Sequence, residues 1–248
     1  MISRPASDAI PTHADTPFPY GLGQAGVHEM VEAGFGDFPA LTGLAVAALR
    51  AADRPGACLW VRQAALAGEH GRLSARGLAA LGLDPGRLLL VDAGKRMDVL
   101  RAVEEGARAR GLAAVVAEID EADFTALRRL CLASGESGTP LMLIFPHTRS
   151  GATAAQGRWR VSARASNPHS HDARAPGRPA WRAILEKSRL QPGMAGHVFD
   201  LEFDHETPCL RLVSGLAARS SAPQPRRLDA PASLPAGNGG DIRWRHTG

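Results

Sequence analysis

Five short apolar runs alternate with helix-like segments through the first part of the chain, and this alternation constrains the fold more than any other feature. The runs are continuous, as in strands that are buried on both faces of a parallel sheet. Between them, apolar residues recur at helical spacing and Gly or Pro marks the turns. The sequence therefore predicts an α/β fold with helices covering a mainly parallel, twisted sheet. The runs span residues 27–31, 57–61, 88–91, 112–119 and 141–145.

The pattern changes after Pro146, where apolar and polar residues begin to alternate one by one. Trp159 and Val161 alternate with Arg158 and Arg160, and a similar alternation follows around residues 199–203. This period of two predicts half-exposed antiparallel strands, with further strands at 180–186 and 209–213. We therefore expect a flexible arm over 1–20, one domain over 21–213, and a disordered tail rich in Pro, Ala and Arg over 214–248. Within the domain, the parallel core would extend to about 148 and a basic antiparallel extension would cover 149–213.

Basic residues are concentrated in the predicted extension. Residues 149–189 hold nine Arg and Lys against two Asp and Glu, although the whole chain carries a net charge of only +4. Arginines on one strand face would meet a phosphate backbone, and tryptophans can stack on unpaired bases. The alternation instead favours Trp159 and Trp181 as core residues, and a solvated strand face is the plain alternative for the arginines. The candidates for DNA or partner contact are Arg149, Arg158, Arg160, Arg164, Arg178 and Arg182. A second candidate, for docking, is the tail motif Arg243, Trp244 and Arg245.

The turn after the first apolar run lies where a phosphate-binding loop would follow a strand. Such a loop needs glycines for close backbone approach and a Lys followed by Ser or Thr for phosphate and magnesium. Gly34 and Gly36 are present, but Pro39, Ala40 and Leu41 stand where Gly-Lys-Thr would be. The two lysines of the chain lie elsewhere, Lys95 before an Arg and Lys187 after a Glu. A working Walker A loop is thus excluded, and we expect no ATP hydrolysis and no cofactor. A plain turn is favoured over residual anion binding.

Other residues that could carry chemistry also have simpler interpretations. Glu118 ends the fourth run, where an ATPase would place a magnesium-binding acid, but a carboxylate beside the helix-capping Asp120 is the favoured reading. Arg62 and Gln63 stand where a RecA-type ATPase has its water-activating Glu. His28, in the first apolar run, is expected to be a hydrogen-bonded core or edge histidine. The cluster His169, His171 and Asp172 lies in a Pro- and Arg-rich segment without partner ligands, so no metal site is predicted.

The sequence also bears on where the protein works. It contains no apolar run long enough to span a bilayer, and its first 16 residues lack the apolar core of a secretory signal. Cys58, Cys131 and Cys209 lie in apolar runs, which is typical of reduced core thiols. We therefore expect a cytoplasmic protein.

Taken in order, several segments resemble the bacterial ImuA family, RecA-superfamily relatives encoded in damage-inducible mutagenesis cassettes. The resemblance covers most of residues 18–213, and the order and spacing of its pieces carry it rather than any one motif. The pieces include residues 18–23, 26–31, 59–60, 82–88, 98–111, 112–118, 128–130, 158–161 and 177–182. It implies a RecA-like core without required ATPase activity. It also implies a nucleoid-associated role with ImuB, a polymerase relative that lacks polymerase activity, and with an error-prone C-family polymerase.

The leading hypothesis is therefore a non-catalytic accessory factor in damage-induced translesion synthesis. RecA and single-stranded DNA are further possible partners under this hypothesis. One alternative is a regulator that binds RecA filaments. Another is a divergent RecA-like, DNA-dependent ATPase whose catalytic groups come from elsewhere.

Overall fold

A computed structural model describes residues 19–167, 172, 175, 177–204 and 209–213. Within this part of the chain, nine strands form one continuous sheet. Each predicted apolar or alternating run corresponds to a strand. The strands are β1 (Gly26–Glu32), β2 (Ala57–Gln63), β3 (Leu88–Ala93), β4 (Leu112–Glu118), β5 (Pro140–Phe145), β6 (Gly157–Arg164), β7 (Ala180–Ser188), β8 (Val198–Asp204) and β9 (Cys209–Leu212).

The order across the sheet is β3-β2-β4-β5-β1-β6-β7-β8-β9. The first five strands are parallel, and β7, β8 and β9 run antiparallel to their neighbours. β6 differs from the prediction because it lies parallel to β1, with Met30 opposite Trp159. The alternation in the sequence of β6 indicates that one face of the strand is more exposed than the other. It does not indicate whether the strand runs parallel or antiparallel to its neighbour. The predicted α/β architecture, a mainly parallel sheet covered by helices and extended by antiparallel strands, is confirmed.

Helices cover both faces of the sheet and enclose two apolar cores. One core contains Trp60, Trp159 and Trp181, and the other contains Val103, Leu127 and similar side chains. The helices are α1 (Phe38–Ala52), α2 (Ala64–His70), α3 (Ala75–Ala80), α4 (Arg96–Arg108) and α5 (Phe124–Ser137).

Two details of the helices correct the sequence-based expectations. α2 begins directly after β2, where no helix was predicted; only Leu66 of this seven-residue helix is buried, so its apolar pattern is short. The helix after β4 is capped by Asp123, whose side chain accepts a hydrogen bond from the Ala126 amide at 2.6 Å. The expected cap, Asp120, instead pairs with Arg96 at 2.7 Å.

β3 is one of the two edge strands of the sheet, and it is far more exposed than its sequence suggests. Leu89, Leu90 and Val91 are 52%, 47% and 38% exposed. A continuous apolar run was expected to be buried on both faces, but these consecutive residues point to opposite faces of the strand and all are exposed. The apolar run therefore predicts the strand but does not predict its position at an edge of the sheet.

The first helix lies under the extension strands as well as the parallel core. α1 contacts β6 and β9 in addition to β1. Gly43 of α1 faces the indole of Trp181, and a Cβ atom at this position would lie 2.8 Å from Cζ2 of the ring. The absence of a side chain therefore lets the β7 tryptophan pack directly on the helix backbone.

Two searches of the described residues bear on membrane and metal binding. None of their helices combines the length and apolarity needed to cross a bilayer. The same residues contain no group of three or more His, Cys, Asp or Glu side chains placed to hold a metal ion.

Candidate functional site

The loop between β1 and α1 occupies the place predicted for the degenerate phosphate-binding loop. Gly36 has a φ of +98°, a left-handed conformation that glycine adopts without strain. Phe35, between Gly34 and Gly36, is 75% exposed. Residues 33–41 are all described, and none of them has a cationic side chain. The loop therefore has no cationic side chain that would hold a phosphate.

The first turn of α1 provides no phosphate or metal ligand either. The helix begins at Phe38, so Pro39 is its second residue rather than its first. Ala40 and Leu41 are buried in the core. The residues found at the expected Gly-Lys-Thr positions thus serve packing and helix initiation.

A carboxylate from the chain itself occupies the start of this helix. Glu32, the last residue of β1, is fully buried, and its Oε1 accepts a hydrogen bond from the Phe38 amide at 3.0 Å. Its Oε2 lies 3.2 Å from both the backbone N and Nδ1 of His147. A helix N-terminus favours negative charge, so Glu32 takes the position where a bound anion would otherwise be stabilised. Sequence reasoning missed Glu32, although an acidic residue closing a continuous apolar strand was the available signal.

The polar groups at the carboxyl ends of β2 and β4 are engaged with one another. Glu118 Oε1 accepts a hydrogen bond from Trp60 Nε1 at 2.8 Å, not the helix contact that was expected. Burial raises the pKa of Glu118, and the Trp60 hydrogen bond opposes this shift. Gln63 Oε1 accepts from the Asp120 amide at 3.0 Å, and Arg62 forms two hydrogen bonds with Asp92. These side chains link β2 to β3 and β4 at the carboxyl ends of the strands.

A cavity of about 280 Å³ lies beside this edge, between the start of α1 and the segment after α2. Phe38 forms one wall and stacks on His70, with ring centroids 3.9 Å apart and an angle of 2°. Glu118 and several leucines contribute to the lining. The cavity is mainly apolar, which does not suit a triphosphate.

Two of the predicted contact arginines lie inside the protein. Arg149 and Arg158 are 9% and 7% exposed, and both pair with the fully buried Glu29. Nη2 of Arg149 lies 2.7 Å from Glu29 Oε1, and Nε of Arg158 lies 2.5 Å from Oε2. Arg149 also lies over the ring of Phe145, 4.9 Å from its centroid. Because both are buried and share the Glu29 carboxylate, these two arginines are removed from the candidate nucleic-acid surface.

The other four predicted contact arginines are more accessible, but each has an acidic neighbour. Arg182 makes two hydrogen bonds to Asp200, at 2.8 and 3.0 Å, and Arg164 lies 3.8 Å from the same carboxylate. Arg160 pairs with Glu186, and Arg178 lies 3.4 Å from Asp204. β8, which supplies both aspartates, is the neighbour of β7. These four arginines are therefore partly neutralised, by Glu186 and by the acidic strand beside β7.

The two tryptophans of the extension are buried, as the alternation predicted. Trp159 and Trp181 are 1% and 5% exposed. Neither offers a face for base stacking. The tail candidates Arg243, Trp244 and Arg245 lie outside the described residues, as do His169 and His171.

His28 of β1 lies in the core, but the hydrogen bond expected for it is not found within the described part of the chain. Both of its ring nitrogens are buried without a hydrogen-bond partner among the described residues. Burial lowers the pKa of His28 to about 4, so the ring is neutral in the folded protein at neutral pH.

Comparison with known proteins identifies relatives that match most of the chain. The chain is 34% identical over 216 residues to Protein ImuA of Caulobacter vibrioides strain NA1000 / CB15N, which covers 79% of this chain and 84% of that protein. Protein ImuA of strain ATCC 19089 / CIP 103742 / CB 15 gives the same values. Among solved structures, the RadB recombinase has a TM-score of 0.48 at 15% identity, covering 73% of this chain and 89% of that one. No protein-family model matches the chain. On the identity and coverage shared with the two Caulobacter proteins, the chain belongs to the ImuA family.

Proposed function

We propose that this chain is a non-catalytic accessory protein in damage-induced translesion DNA synthesis. Its membership of the ImuA family supports the cellular role. The contact of Glu32 with the first amide of α1 supports the absence of catalysis, because a buried carboxylate at this position repels the phosphate that a RecA-like ATPase must bind. The loop also lacks a cation to counter that repulsion.

The protein acts by binding partners, under this proposal, in the bacterial cytoplasm near the nucleoid. Its partners are ImuB and, through ImuB, an error-prone C-family polymerase. The pairing of Arg160, Arg164 and Arg182 with neighbouring carboxylates favours protein contacts over direct contact with DNA. Phosphates would have to displace these carboxylates, and exposed arginines that are already paired attract them weakly.

Two measurements test the proposal separately. Phosphate release from Mg²⁺-ATP, with and without single-stranded DNA, is expected to stay at the background of a protein-free reaction. Turnover that rises with protein concentration would support the divergent ATPase instead. Purified ImuB is expected to bind the full chain; failure to bind, together with co-sedimentation of the chain with RecA filaments, would favour a RecA regulator.

A further inference from the structure

Cationic side chains outnumber carboxylates where the start of β6 meets the end of β7. Arg158 of β6 lies opposite Lys187 of β7. Arg158 pairs with the buried Glu29, but the same carboxylate also pairs with Arg149. Among the described residues, no second carboxylate forms an ion pair with either arginine. One carboxylate therefore serves two buried arginines.

Two more cations stand beside this pair without a carboxylate of their own. Lys187 and Arg189, the residue just after β7, form no ion pair with any described residue. The Lys187 Nζ donates to the carbonyl of Thr153 at 2.6 Å, which is a neutral acceptor. Glu186, the residue before Lys187, pairs with Arg160 instead. Because Arg189 is exposed and Lys187 is half-buried, a solute can reach both side chains.

The pKa of Lys187 reflects the charges around it. Burial lowers this pKa, Arg189 and Arg158 lower it further, and Glu29 opposes the shift. A neighbouring cation disfavours the protonated form of a lysine, so the three cationic side chains lie close enough to repel one another. We call Arg149, Arg158, Lys187 and Arg189 the cationic cluster. Its four positive charges surround a single carboxylate.

We infer that Lys187 and Arg189 form a binding site for a phosphate group. Their side chains would contact its oxygens, and the buried Arg158 would add to the attraction from within the protein. A phosphate offers several acceptor oxygens and up to two negative charges, so it offsets more of the excess charge of the cluster than one carboxylate would. Free phosphate and the backbone of single-stranded DNA share this chemistry.

The site goes beyond the proposed function, which assigns no phosphate ligand to the chain. It also differs from the loop after β1, where the buried Glu32 repels phosphate. Lys187 and Arg189 were not among the candidate contact residues, because a segment sum of charge does not show which cations lack a carboxylate. The test does not involve ImuB, so its outcome is independent of the outcome for the proposed function.

The experiment uses the fact that the chain contains only two lysines, Lys95 and Lys187. Lysine labelled with ¹³C at the ε carbon gives two side-chain signals, and the exposed Lys95 is an internal control. The pKa of each is measured by NMR in chloride, in inorganic phosphate, and with a thymidine oligonucleotide without terminal phosphates, all at equal ionic strength. We expect the pKa of Lys187 to rise by about 0.5 or more when phosphate binds, because a nearby anion favours the charged form.

The two probes distinguish the sources of the phosphate. A rise with inorganic phosphate supports a site for the free anion, and a rise with the oligonucleotide alone supports a site for the nucleic-acid backbone. If neither probe changes the pKa of Lys187, or if Lys95 responds equally, the inference is wrong.

A variant tests the second side chain of the site. Arg189→Gln removes an exposed charge that has no ion pair among the described residues, and it should reduce the rise at Lys187 to less than half. The matched control is Arg72→Gln, another exposed arginine without an ion pair in the described part of the chain, and it should keep the full rise. Thermal unfolding of both variants would show that the fold is kept. A full rise in Arg189→Gln would overturn the site as assigned.

Discussion

The Glu32 carboxylate lies 3.0 Å from the Phe38 amide, so the last residue of the first strand caps the first residue of the helix that follows. The same carboxylate accepts a hydrogen bond from the His147 amide after β5. One buried side chain thus joins three segments at the carboxyl edge of the sheet. The geometry leaves both amides satisfied without any ligand.

Replacing Glu32 by Ala is expected to destabilise the protein by about 1–3 kcal/mol, because the buried Phe38 amide and the partly buried His147 amide lose their acceptor. Glu32→Gln keeps an acceptor oxygen and should be less harmful. Urea unfolding measures the difference. Glu69→Ala, an exposed control, should change the stability by less than about 0.5 kcal/mol. Equal stability of Glu32→Ala and the wild type would show that the cap contributes nothing.

Removing Glu29 is expected to lower the free energy of unfolding more than removing any exposed ion pair does. Glu29→Ala would leave Arg149 and Arg158 buried without their carboxylate, a loss of about 3–5 kcal/mol for a buried pair. Arg182→Ala breaks a half-exposed pair with Asp200 and should cost about 0–1 kcal/mol. Denaturant titration of both variants gives the comparison. Similar losses in the two would contradict the burial of the Glu29 cluster.

The stability of the protein should fall in mild acid because of His28. Its pKa is about 4 when folded and near 6.5 in the unfolded chain, so the unfolded state takes up a proton first as the pH decreases. The free energy of unfolding contributed by this histidine is complete above pH 6.5 and decreases by about 3 kcal/mol as the pH reaches 4.

The variant His28→Leu isolates this contribution from that of the carboxylates. Unfolding of the variant and the wild type is compared at pH 7, 5.5 and 4. The wild type should lose more stability than the variant across this range. If the free energies of unfolding of the two proteins change with pH in parallel, His28 is protonated over the same pH range in the folded and the unfolded state.

A pair of glycine substitutions tests the contact between α1 and β7. Gly to Ala within a helix normally stabilises by about 0.5–1 kcal/mol. Gly135 in α5 has open space around its Cβ position and should follow this rule, whereas a Cβ at Gly43 would meet Trp181. We expect Gly43→Ala to destabilise by about 1–3 kcal/mol, the usual cost of overpacking. Opposite signs in thermal unfolding would confirm the contact, and stabilisation by both would refute it.

Neutralising Asp200 should uncover a latent affinity for nucleic acid. Asp200→Asn frees the guanidinium groups of Arg164 and Arg182 from their shared carboxylate. Affinity for a single-stranded oligonucleotide is then expected to rise several-fold at low salt, and the slope of log K against log salt to steepen by about 1. Asp53→Asn, far more exposed and at the end of α1, is the control. An unchanged slope would remove the extension arginines from consideration as phosphate ligands.

The sequence predicts the strands and most helices because their signals are local. Continuous runs such as that of β5 and the helical spacing in α4 depend on neighbours within one element. The pairing of charges in the extension depends on contacts between elements. Arg182 and Asp200 belong to different strands, and the net charge of each segment does not indicate that they lie opposite each other in the sheet. Glu29 and Arg158 are separated by 129 positions, so their pairing is invisible in either local pattern.

For a related reason, the sequence did not predict that β3 lies at an edge of the sheet. A strand at the edge and a strand at the centre of a parallel sheet can have the same apolar composition, since only strand order distinguishes them. Glu32 was overlooked because a single acid at the end of an apolar run also fits an ordinary turn. Its role depends on His147, which lies 115 residues away.

A carboxylate that belongs to the chain has a consequence for how the cell can influence this molecule. A ligand that binds only the folded state raises stability in proportion to the logarithm of its concentration. Glu32 is present at a fixed ratio of one per chain and cannot be depleted. Under the proposed function, the stability of this loop therefore does not depend on the supply of nucleotide, and we expect the protein to be folded to the same extent in starved and in growing cells.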